Sequence, residues 1–158
     1  MSRSLRISSL LVLLLAAVAL GACGGGSNDV EKKNAYVREL NAAQSDFRSS
    51  ANEISSQPIP GEDAGKVRFV QRLAGAIDQV VATMRGITVP GDVRAEHQQL
   101  IDAMTGFRAD VQKLTQTFRG GDARELPAAL AAFKAAEAKA DSRVDATIAA
   151  INSKLTAS

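Results

Sequence analysis

The chain has no tryptophan, one cysteine, one histidine and one tyrosine in 158 residues, and only four prolines. Each scarcity removes a possibility. A lone cysteine, Cys23, cannot close an internal disulfide, so the folded part must hold by packing alone. One histidine and one cysteine fall short of the usual four-ligand zinc set. His97 stands in Glu96-His97-Gln98-Gln99-Leu100, without the second histidine four residues on that a zinc-protease helix requires. There is no Gly-x-Ser-x-Gly elbow and no glycine-rich phosphate cradle. No metal, no cofactor and no catalytic residue is expected.

Charge of one sign is also missing. Nineteen basic residues face seventeen acidic ones, and two of the basic ones, Arg3 and Arg6, lie in the first six positions. Without residues 1–22, the balance is seventeen of each. A neutral chain lacks the basic face that nucleic acid requires, so no nucleic-acid partner is expected. It also lacks the polybasic segment that binds anionic lipid by charge alone.

One long apolar run is present. Ile7 to Leu20 is broken only by Ser8 and Ser9. It is short for a bilayer span, which takes roughly 20 residues. A basic start, a short apolar run and a small-residue end together describe a signal peptide. The run closes on Leu20-Gly21-Ala22-Cys23 and continues as Gly24-Gly25-Gly26-Ser27. This pattern resembles the bacterial lipobox, where an aliphatic residue and two small ones precede an invariant cysteine. The resemblance implies that residues 1–22 are removed and that Cys23 receives a diacylglyceryl thioether. Residues 23–28 then form a short tether, and 29–158 form the folded domain. Two or three acyl chains on one residue give persistent attachment where a single chain gives marginal binding. The implied address is the extracytoplasmic face of the cell membrane, with the membrane as partner through Cys23.

The remaining chain reads as four amphipathic helices. Tyr36, Leu40, Ala43, Phe47, Ala51 and Ile54 recur at helical spacing, up to the break at Gln57-Pro58-Ile59-Pro60-Gly61. Val67, Val70, Ala74, Ile77, Val81 and Met84 make a second stripe, ended by Gly86. The third starts near Pro90 and runs through Val93, His97, Leu100, Met104, Phe107, Val111, Leu114 and Phe118 in alternating steps of four and three. The fourth opens on Asp122 and Glu125, at capping-box spacing, and continues through Leu130, Phe133, Ala136, Ala140, Val144, Thr147, Ile151 and Leu155. Short connections make successive helices antiparallel neighbours. The expected fold is all-α: an antiparallel up-down-up-down four-helix bundle.

In that arrangement His97 falls at the level of Tyr36, Asn41, Met84 and Asn152. The pattern predicts a polar layer of His97, Tyr36 and an asparagine, either fixing helix register or lining a polar pocket. Carboxylates such as Asp141 with Asp145, and pairs such as Lys134 with Glu137 or Arg94 between Asp92 and Glu96, read as solvated surface.

Beyond Cys23, the chain resembles a group of small actinobacterial helical lipoproteins. The residues that carry this are Tyr36-Val37 with Asn41, Gln44 and Phe47; Val89-Pro90 with Val93-Arg94, His97 and Leu100; and Ile148 with Ile151-Asn152 and Lys154-Leu155. The resemblance implies the fold and the address, and directs attention to the neighbourhood of His97 and Asn152. The expected role is a non-enzymatic envelope module that binds a protein or envelope partner. The alternative is a small-ligand binder with a polar pocket near His97.

Overall fold

The computed structural model describes residues 27–58, 63–120, 122 and 124–157. The expected signal peptide, Cys23, most of the expected tether and part of the predicted Gln57–Gly61 break lie outside the described residues. Four helices account for nearly all the rest: α1 (Ser27–Ser56), α2 (Asp63–Gly86), α3 (Arg94–Gly120) and α4 (Leu126–Ala157). They pack sequentially and antiparallel as an all-α four-helix bundle. None is long and apolar enough to cross a membrane.

The predicted stripes are the core. Every named position of the α1 stripe is buried, as are His97 to Leu114 on α3. The exceptions are Val67, Phe118 and Leu130, half-buried near helix ends, and Ala136, half-buried further inside α4. α2 and α3 bury more than a single stripe, because each lies between two neighbours. On α2, Leu73, Ala76 and Val80 join the core, and on α3, Ile101 and Ala103 do so. α4 is built differently. It packs chiefly on one neighbour, α3, and buries Phe133, Ala140, Val144, Ile148, Ile151 and Leu155.

Two helix starts differ from expectation. Pro90 does not open α3. It precedes a single 3₁₀ turn, Gly91–Val93, that puts Val93 into the core before the α-helix begins at Arg94. Asp122 does not cap α4. Its Oδ1 accepts the Arg124 backbone N–H at 2.9 Å, closing a local turn, and Glu125 provides the first helical carbonyl, to Ala129 N–H at 3.0 Å. Pro127 therefore sits in the first turn, where its missing N–H costs no helical bond.

Most of the ion pairs join neighbouring helices; one, Lys113 with Asp110 at 2.7 Å, runs along α3. Glu53 on α1 meets Arg72 on α2 at 3.1 Å, Asp78 on α2 meets Arg108 on α3 at 3.0 Å, and Glu96 on α3 meets Lys154 on α4 at 2.7 Å. Arg72 also donates to the Gln57 side chain, just past the end of α1. Asp92 and Glu96, expected to pair with Arg94, instead take Lys33 of α1, at 3.2 Å, and Lys154. Sequence spacing reveals partners on one helix only. Partners across helices depend on register.

Candidate functional site

The site starts from an unsatisfied carbonyl. The last four carbonyls of an α-helix have no partner within it. Met84, close to the end of α2, is one of these, and its carbonyl oxygen is taken twice. The Ile87 N–H donates to it at 3.1 Å, and His97 Nε2 lies 2.9 Å away. A carbonyl can only accept, so Nε2 carries the proton and donates. With the ring neutral, Nδ1 is left as an acceptor. The Tyr36 hydroxyl, 3.2 Å from Nδ1, donates into it. The two rings meet edge to face with centroids 5.6 Å apart.

Three helices thus meet in one hydrogen-bonded chain: Tyr36 on α1, His97 on α3 and the end of α2. Tyr36 is fully buried and His97 is 5% exposed. Burial pushes the Tyr36 hydroxyl well above its ordinary range, with the Glu96 charge adding to it, so it remains a proton donor at any physiological pH. Glu96 is held in place by Lys154, whose hydrogen bond keeps its carboxyl below the usual range.

Of the four predicted layer residues, the structure brings Tyr36 and His97 together. Asn41 and Asn152 are half-buried, and neither bonds the imidazole, whose nitrogens are already committed. The second partner is a backbone carbonyl, a group that no residue pattern announces.

Beside His97 runs an open groove of about 820 Å³. Ile87, Val89 and Ile101 supply its apolar side; Arg85 and Arg94 stand at its rim. The interior itself is close-packed. A cavity of about 20 Å³ lies in mid-bundle between Gln44, Phe47, Val80, Met84, Leu100, Met104 and Val144, room for one water and no more.

A second polar region includes Glu137 and Asp141, expected as solvated surface and here half-buried. At the level of that cavity, Gln44 Nε2 on α1 is buried without a hydrogen-bond partner among the described residues. So are Glu137 Oε1 and Asp141 Oδ1 on α4. All three side chains are half-buried. Burial raises the Asp141 carboxyl to about 6, with Asp145 adding repulsion. Glu137 is raised by burial and by Asp141, against an opposing pull from Lys134. The available signal was positional: Glu137 and Asp141 each follow an alanine of the core stripe by one residue, which places them on its flank and not opposite it.

Among the described residues no group of three or more His, Cys, Asp and Glu side chains could hold a metal ion. No protein-family model, curated protein or solved structure matches the chain.

Proposed function

We propose that this protein is a membrane-anchored envelope lipoprotein whose helical bundle serves as a non-enzymatic interaction module. The observation that carries the anchor is Leu20-Gly21-Ala22-Cys23, following a basic start and a short apolar run. α1 begins at Ser27, four residues later, so the chain between spans at most about 14 Å. The bundle is then held close against the lipid surface.

The interaction reading is favoured over a ligand pocket by the state of His97. Both its nitrogens are bonded within the protein, and the ring joins three helices. The mid-bundle cavity has room for a water, not for a metabolite. A polar layer so closed acts on helix register.

Intact-mass spectrometry of protein purified from its native membrane tests the anchor. The expected mass is that of residues 23–158 plus two or three acyl chains; an unmodified chain still carrying Met1 would refute it. Affinity capture from detergent-solubilised membranes tests the module. A stoichiometric envelope partner is expected, and a bare monomer under all conditions counts against it.

A further inference from the structure

We infer that the groove between the end of α2 and the start of α3 is a docking surface for anionic lipid headgroups, through Arg85 and Arg94. The inference deepens the lipoprotein reading and rests on it.

The first support is charge left over. At this end of the bundle the acids nearest the groove are already engaged: Asp92 by Lys33, and Glu96 by Lys154. Asp102, one turn further along α3, accepts from Gln98. Arg85 and Arg94 are exposed, and neither has an ion-pair partner among the described residues. Two unneutralised guanidiniums on one concave rim present a fork geometry suited to phosphate. The chain as a whole is close to neutral, so this is a local feature and not a basic protein.

The second support is position. His97 lines the groove and bonds Tyr36, nine residues into α1. That places the groove about 14 Å along the helix from Ser27, at 1.5 Å per residue. A tether of at most about 14 Å joins Ser27 to Cys23. With the lipid on Cys23, the groove stays within about 28 Å of the anchor, so the arginines meet lipid phosphate at high effective concentration. The apolar side of the groove, Ile87, Val89 and Ile101, gives the headgroup's carbon skeleton a surface to rest on.

The test uses the acylated protein in vesicles. Thr88→Cys, exposed beside the groove, carries a fluorophore; Gln116→Cys, exposed near the far end of α3, carries it in a control. Cys23 is consumed by the thioether, so labelling at Cys23 in the parent protein would show that the anchor reading has failed, independently of the groove. With Cys23 blocked, the Thr88→Cys label should be shielded from an aqueous quencher in phosphatidylcholine vesicles containing phosphatidylglycerol, and open in phosphatidylcholine alone. Arg85→Gln with Arg94→Gln should shift the docked-to-open ratio about 25-fold, at about fivefold for each cation near an anionic surface. Molar salt should abolish docking, because screening then acts within about 3 Å. The Gln116→Cys label should be open throughout. Equal quenching in both vesicles, or shielding unaffected by lipid charge, overturns the inference. Shielding in detergent that grows with protein concentration assigns the groove to a second copy and overturns it too.

Discussion

The bundle contains two buried polar regions of opposite character. At the Tyr36–His97 pair each side-chain polar atom has a partner: hydroxyl to imidazole, imidazole to carbonyl. In mid-bundle, Gln44, Glu137 and Asp141 each bury an atom with none. The first region joins three helices at fixed register. The second sits where α1 and α4 flank the small cavity, and holds two carboxyls that resist ionisation. Burial alone therefore says little about what a polar residue contributes; the sign depends on whether its partners arrive with it.

That contrast predicts opposite responses to one operation. His97→Ala leaves the Tyr36 hydroxyl orphaned and a void between three helices. It should destabilise the fold by about 3 kcal/mol in urea titration. Tyr36→Phe is milder, stranding only Nδ1 of the imidazole, and should cost about 1.5 kcal/mol. In mid-bundle the sign reverses. Gln44→Met removes an unpaired amide and extends apolar volume toward the cavity, and should raise stability by about 1 kcal/mol. A loss at Gln44→Met as large as that at Tyr36→Phe would end the distinction between the regions.

Asp141 sharpens it through pH. The folded-state carboxyl titrates near 6, above its ordinary value. The folded chain therefore holds a proton that the unfolded chain has released, and stability from this group is present in acid and lost as pH rises through 6. Glu137 and Asp145 stand four residues to either side of Asp141 on α4, and each is coupled to it by charge. Asp141→Asn should match the parent near pH 4 and exceed it at pH 7 by about 1 kcal/mol, after discounting for the half-exposed site. A constant difference across that range would remove the titration. The smallest effect marks the baseline: Arg108→Gln, breaking an exposed pair with Asp78, should change stability by about 0.5 kcal/mol or less in the same titration.

The fold was largely legible because it is written in apolar spacing. Tyr36 to Ile54 and His97 to Leu114 declare the buried faces, and Gly86 and Pro58 mark breaks between them. The starts of α3 and α4 were less legible. Both depend on turn geometry, the 3₁₀ turn after Pro90 and the local bond from Arg124 to Asp122, that competes with a simpler capping pattern. Tyr36 with His97 could be foreseen from height in an antiparallel bundle. Met84's carbonyl could not, since every residue carries one. The mid-bundle carboxyls were misread because Lys134 and Asp145 lie at surface-pair spacing from them, and only tertiary packing shows that their flank of α4 turns inward.

An even number of passes returns the polypeptide to its starting end. Ser27 enters and Ala157 leaves on the same side of the bundle. Anything fused after residue 157 would be crowded against the start of α1. The turn between α3 and α4, on the opposite side, is where a reporter or affinity handle could stand clear.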